Sequence, residues 1–286
     1  MNKIELLAAY WTIAGDRIPM GPTEVSPFSL RERAEAAAEA GYKGLGLVYQ
    51  DIEANKALMG LDGIRRILDD NGLPHVEVEF LGDWFEAGEK KRASDKVRGD
   101  LLEAAAVLGA RDVKIAPQMW SETIDIAHYA AAFADVCDAA AAIGTNVAIE
   151  VLPFTNIRDL KTARAVVEGA GRANGGLCID IWHMERGGID FGEVAALPVG
   201  YLKSVELNDA RAEIVPGGLW EDTINERVLC GEGSFNVRGF IKAIQATGFD
   251  EFWSVELLGR EHRLLPLREQ AKRSFDTTMA MFEPAA

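Results

Sequence analysis

Four carboxylates lie near the ends of four successive apolar runs in the second half of the chain. They are Glu150 in "NVAIEVL" (146–152), Asp180 in "GLCIDIW" (176–182), Glu206 in "LKSVELN" (202–208) and Glu256 in "FWSVELL" (252–258). Each run has the length and composition of a buried strand. In such a place an ionised carboxylate must pair, protonate or bind a cation. Residues two apart on a strand share a face. By that count Val147, Ile149 and Val151 oppose Glu150, and Leu177, Ile179 and Ile181 oppose Cys178, Asp180 and Trp182. Likewise Val205 and Leu207 oppose Glu206 and Asn208, and Val255 and Leu257 oppose Glu256. Two earlier runs add Glu77 and Glu79, opposite Val76, Val78 and Phe80, and Lys114, opposite Val113 and Ile115. With the aliphatic faces turned to outer helices, six acids and one lysine point inward. Two like charges about 4 Å apart repel by about 4 kcal/mol at an effective dielectric near 20. One lysine does not neutralise such a set. A divalent ion would offset much of the repulsion, which makes Asp180 a candidate metal ligand.

The elements that must position these groups alternate along the chain. Strand-like runs at 4–11, 43–49, 75–81 and 112–117 precede the four already given. Between them lie amphipathic segments that close on glycine, such as "SLRERAEAAAEAG" and "LKTARAVVEGAG", where a left-handed residue stops a helix. Strand–helix alternation means parallel strands joined by crossover helices. Eight such units predict an α/β fold of the (β/α)8 TIM-barrel type, as a single domain over 1–286. An open doubly wound sheet would want a G-x-G-x-x-G turn after the first strand, and "YWTIAGDRIPMG" does not supply one. Catalytic groups in a (β/α)8 barrel sit at the C-terminal strand ends, where the four acids fall. The longest connection, 209–235, is the one expected to carry function.

Bulk properties narrow the class. The chain has 286 residues, 26% of them charged, with a formal net charge of −15. That charge repels nucleic acid and anionic membranes. No apolar run approaches the ~20 residues of a membrane span, and the first residues lack the apolar segment and cleavage site of a signal peptide. Three widely spaced cysteines, Cys137, Cys178 and Cys230, form no disulfide framework or CxxC pair. A cytoplasmic location is expected. HExxH, GxSxG and Walker patterns are absent, so hydrolase nucleophile and P-loop chemistry have no support.

At the acids the chain resembles a family. "IEV" with Glu150, D-x-x-H at Asp180 and His183, "VELNDA" from Val205, and "VELL" with Glu256 resemble the sugar phosphate isomerase/epimerase family with the xylose-isomerase-like barrel, within the AP endonuclease family 2 superfamily. "ERVLCGEGSFN" resembles that family's Arg-x-x-Pro-Gly-Glu-Gly turn, with Cys230 in place of proline. The resemblance spans essentially the whole chain. It implies a divalent metal, often Mn²⁺, on Glu150, Asp180, Glu206 and Glu256, with Glu150 and Glu256 as the proton-transferring pair and His183 on a substrate oxygen. The implied activity is a sugar isomerase or epimerase on a small polyhydroxylated carbonyl compound, through a metal-stabilised enediolate. A dehydratase of the 3-dehydroshikimate or inosose type is the alternative on the same site. The chain departs from the family at Glu206, where His is usual and Gln occurs in some dehydratases. Four carboxylates form a harder shell that favours Mg²⁺ or Mn²⁺ over Zn²⁺. The departure also leaves open that His183 ligates while Glu206 does acid–base work. Ala212 stands where epimerases carry an arginine, with Arg211 one earlier.

Several residues have two readings. Lys114 orients substrate or pairs with Glu79 or Glu150; a Schiff-base role needs a lowered pKa, and an acidic interior raises it instead. Arg227 clamps a substrate anion as a fork or pairs at the surface with Glu226 or Glu232. Asn208 shares the inward face and joins the substrate-binding candidates. Trp11, Trp84, Trp120 and Trp182 near strand ends wall a sugar or simply pack. Two rivals come from other classes: a barrel nuclease, against which four histidines and the acidic charge argue, and a non-catalytic sugar-binding or partner subunit. Association into a homo-oligomer is possible for such barrels, and no patch in the sequence is diagnostic of it.

Overall fold

A computed structural model describes residues 3–283. Its strands in chain order are β1 (Leu6–Ala8), β2 (Gly44–Val48), β3 (His75–Leu81), β4 (Asp112–Ile115), β5 (Asn146–Glu150), β6 (Gly175–Asp180), β7 (Leu202–Leu207), β8 (Asp209–Ala210), β9 (Arg227–Val228) and β10 (Trp253–Val255). Eight of them form a closed parallel barrel in the order β1-β10-β7-β6-β5-β4-β3-β2. β8 and β9 pair antiparallel as a small separate ribbon. The (β/α)8 barrel expected from the strand–helix alternation is therefore the observed fold.

Local chemistry explains the helix ends. The helix Leu30–Ala40 starts on a capping box, in which the Ser29 side chain accepts from the Glu32 amide and the Glu32 side chain accepts from the Ser29 amide. It stops at Gly41, whose φ of 114° is left-handed, and a Cβ there would run into the Phe275 ring. Only glycine meets both demands. The aliphatic strand faces meet the helices as the period-2 count requires. Val147, Ile149, Leu177, Ile179, Val205 and Leu207 are buried in one apolar cluster with helix residues such as Phe133, Val166 and Phe240. Among the described residues no helix is long and apolar enough to cross a membrane.

Two local expectations are corrected, and the long connection is seen to be folded. β6 ends at Asp180, and Trp182 lies in the helix Ile181–Gly187 instead of on the strand. Asp180 starts that helix: its Oδ1 accepts from the Trp182 amide at 2.6 Å. Phe80 does not join the outer face with Val76 and Val78. The β3–β4 register shifts between Val78 and Leu81, so Leu81 enters the core and Phe80 lines the cavity at the barrel mouth. The connection 209–235 is folded, holding β8, the helix Gly218–Asn225 and β9.

Candidate active site

Register places the acids. Asp180 on β6 pairs with Glu206 on β7, Glu206 pairs with Ser254 on β10, and Glu256 follows two residues later on the same side. Glu150 on β5 is level with Cys178, two residues before Asp180. One oxygen from each of Glu150, Asp180, Glu206 and Glu256 lies within 4.8 Å of the others. Asp180 and Glu206 are fully buried, and Glu150 and Glu256 nearly so.

The barrel axis carries more positive charge than one lysine. Arg227 enters from β9. Its Nη1 donates to Asp180 Oδ2 at 2.7 Å and to Glu256 Oε2 at 2.9 Å. Its Nη2 donates to Thr223 Oγ1 at 2.8 Å and its Nε to the Thr223 carbonyl at 3.2 Å. Arg227 is thus neither a surface partner of Glu226 or Glu232 nor a free anion fork, because every guanidinium nitrogen already has a protein acceptor. Lys114 is buried; its Nζ pairs with Glu206 and with Glu79 at 2.8 Å. It stands below the cavity and does not line it. Deeper still, Glu77 accepts from Arg111, from Ser204 Oγ at 2.9 Å and from Ser254 Oγ at 2.7 Å. Burial would raise the Glu77 carboxyl, but Arg111, Lys114 and the two serines hold it below its ordinary value.

Compensation remains incomplete at the top. Five carboxylates (Glu79, Glu150, Asp180, Glu206, Glu256) face Lys114 and Arg227. Burial pushes Glu256 up to about 8 against the pull of Arg227 and Lys114. Burial and then Glu256 drive Glu206 well above its ordinary value despite Lys114. Burial also raises Asp180, yet Arg227 and the Asn208 and Trp182 hydrogen bonds outweigh it, and the net direction is down. Glu206 Oε2 and Glu79 Oε1 are buried with no hydrogen-bond partner among the described residues. Crowded, under-neutralised oxygens with free lone pairs suit a divalent cation.

The other candidates separate by position. His183 lines the cavity and its Nε2 lies 2.8 Å from Glu150 Oε1. Asn208 is buried and donates Nδ2 to Asp180 Oδ1 at 2.9 Å; it orients the acid and lies outside the cavity lining. Trp84 is buried and donates to the Ala116 carbonyl at 2.6 Å, and Trp182 donates to Asp222 Oδ2 at 3.1 Å. Both are packing residues. Trp11 lines the cavity, and Trp120 stacks on a lining residue. The cavity, of about 330 Å³, also takes in Glu79, one of the acids counted inward from the sequence, and Phe80, Phe154 and Trp220, which sequence reasoning did not assign to the site. Asp209 was missed as well. Its carboxylate accepts from the amides of Gly231, Gly233 and Phe235 at 2.9–3.1 Å, so the glycine turn "GEGSF" is wrapped on an acid from β8. The "VELNDA" context and the "GEGSF" turn were each visible in the sequence; that the acid of one holds the amides of the other was not.

A (β/α)8 barrel with four carboxylates gathered at the C-terminal strand ends defines the class of protein. The chain belongs to the xylose isomerase-like TIM barrel family, whose pattern matches residues 34–281. It is 25% identical over 228 residues to an inosose isomerase of Halalkalibacterium halodurans, covering 77% of this chain and 79% of that protein. It is also 25% identical over 254 residues to a 3-dehydroshikimate dehydratase of Pseudomonas aeruginosa, covering 85% of this chain and 38% of that longer protein. Among solved structures, the IOLI protein with a binding zinc atom superposes with a TM-score of 0.82 at 18% identity, covering 97% of this chain and 98% of the other. An L-ribulose 3-epimerase superposes with a TM-score of 0.75 at 16% identity, covering 98% and 94%.

Proposed function

We propose that the protein is a divalent-metal-dependent isomerase or epimerase of a small polyhydroxylated carbonyl compound. The observation that carries this reading is the convergence of Glu150, Asp180, Glu206 and Glu256 within 4.8 Å. These four would hold the ion, and the all-oxygen donor set favours Mn²⁺ or Mg²⁺. When bound, such an ion supplies Lewis-acid polarisation of substrate oxygens. Similarity to an inosose isomerase supports the substrate class.

The chain's own residues divide the remaining work. Glu150 and Glu256 line the cavity, whereas Asp180 and Glu206 lie beneath it. Their exposure to the cavity supports assigning proton exchange with substrate carbons to the first pair and ligation to the second. One carboxylate takes the proton from the carbon next to the carbonyl, leaving an enediolate. Return of a proton to the neighbouring carbon isomerises, and return on the opposite face epimerises. His183 holds Glu150 through Nε2 and lines the cavity, where it would contact a substrate oxygen. Loss of hydroxide from the same intermediate would dehydrate, and the likeness to a 3-dehydroshikimate dehydratase favours that as the second reading.

Solvent deuterium uptake into a panel of ketoses, inososes and dehydroshikimate, with Mn²⁺ present, tests the proposal. Exchange into one class is expected, falling by several orders of magnitude in Glu150→Gln and Glu256→Gln. Near wild-type exchange in either variant removes its proton-transfer role. Ligand binding that survives chelation, with no exchange in any class, would replace the enzyme reading with a binding subunit.

A further inference from the structure

The mouth of the cavity is walled by apolar side chains although its floor is acidic. Trp120 stacks on Phe154 with ring centroids 5.3 Å apart, and Trp220 stands edge-on to both at 5.6 and 5.8 Å. Phe154 and Trp220 line the cavity, as does Met20 from the β1 connection. Large apolar groups are expensive to leave in water, yet Met20 is 72% exposed and Trp120 is 60% exposed. Both also hold a left-handed backbone, with φ of 59° and 58°, a conformation that disfavours bulky residues and marks positions under functional constraint. Specific contacts impose it. The Met20 amide donates to Glu24 Oε1 at 2.9 Å, and the Trp120 amide donates to the Phe154 carbonyl at 3.0 Å.

Charge in the same cavity is mostly negative. Among the described residues lining it, Arg227 is the only lysine or arginine, and its nitrogens are already engaged. Glu24, Glu79, Glu150 and Glu256 line the same space. Apart from the proposed ion and His183, the lining offers no unengaged cationic side chain to a phosphate or a carboxylate, and the chain's net charge of −15 repels anions from a distance. Resting on the isomerase or epimerase reading, we propose that the substrate is an uncharged polyhydroxylated carbonyl compound bearing a flat apolar substituent. The polyol end lies down among the carboxylates, and the substituent stacks on the lining rings of Phe154 and Trp220, against which Trp120 packs. A cavity of about 330 Å³ gives room for both parts. Trp120, Trp220 and Met20 are then specificity-determining residues, and a carboxylate-bearing substrate such as a dehydroshikimate is disfavoured.

Calorimetric titration of Mn²⁺-loaded protein with phenyl β-D-glucopyranoside, D-glucose and D-glucose 6-phosphate tests this without any chemistry. The phenyl glucoside should bind about tenfold or more tightly than glucose, and the phosphate more weakly than glucose. Trp120→Ala, at an exposed position beside the lining residues Phe154 and Trp220, should reduce that advantage; Trp120→Phe should keep more of it. Equal affinities, tighter binding of the phosphate, no effect of Trp120→Ala, or no binding of any of the three would overturn the proposal. Proton exchange failing while the aromatic preference holds would sink the reaction and spare the specificity. The converse pattern would do the reverse.

Discussion

Arg227 Nη1 lies 2.9 Å from Glu256 Oε2 and 2.7 Å from Asp180 Oδ2, so one guanidinium nitrogen bridges two of the four acids proposed to hold a metal. The bridge is buried on all sides. Removing one partner of such a pair costs about 3–5 kcal/mol, because the remaining charge stays desolvated. Arg227→Leu should therefore lower the stability of the metal-free protein by about that amount in urea unfolding, and Mn²⁺ should restore a larger part of it than it adds to wild type. Equal stability in the absence of metal would contradict the bridging role.

Lys114 tests the same balance from below. It neutralises Glu206 and Glu79, and those acids together with Glu77 and Glu256 raise its own pKa despite burial. Lys114→Met should destabilise the metal-free chain by about 3–5 kcal/mol. It should also weaken Mn²⁺ binding less than Glu206→Ala does, since Lys114 offers no lone pair. Thermal unfolding with and without Mn²⁺ measures both.

The floor of the barrel gives a pH prediction independent of the metal. Burial, and then Glu77, push Asp112 up to about 7, above the ~3.9 of an unfolded aspartate. Its protonated form therefore favours the folded state. The contribution is fully present below about pH 4 and is lost as pH rises through about 7. Asp112→Asn keeps the acceptor facing Arg111 and removes the charge. It should be more stable than wild type at pH 8, by at most about 4 kcal/mol, with the difference vanishing near pH 4. A variant less stable by the same margin at both pH values would contradict this.

Asp209 anchors the turn that delivers Arg227's loop back to the barrel. Three amides converge on its carboxylate, and a hydrogen bond to a charged acceptor is worth about 1.5–3 kcal/mol. Asp209→Ala should raise amide hydrogen exchange across residues 209–235 and cut activity, while leaving exchange in β2–β5 as in wild type. Uniform exchange in the loop would show that the turn needs no such anchor.

The barrel and the inward acids were legible because strand patterning is local. A period of two, with Val205 and Leu207 out and Glu206 in, assigns each side to a face before any contact is known. Lys114 was legible by the same count, and it does pair with Glu79; Arg227 was not. Arg227 reaches the acids only because the helix Gly218–Asn225 and the β8–β9 ribbon fold the long connection back over the mouth, and sequence distance gave no sign of that. Phe80 was misplaced because a register shift breaks the alternation within one strand. The aromatic wall of Trp120, Phe154 and Trp220 draws on three separate connections, so no single window of sequence displays it.

Calorimetric titration of the metal-free protein with Mn²⁺ tests the central claim most directly. The four-carboxylate account predicts about one ion per chain, lost in Asp180→Asn and in Glu206→Ala. It also predicts proton release on binding at pH 7, because Glu256, pushed up to about 8, must ionise. No binding of Mn²⁺ or Mg²⁺ at millimolar concentration, or binding that is unaltered in both variants, would contradict it.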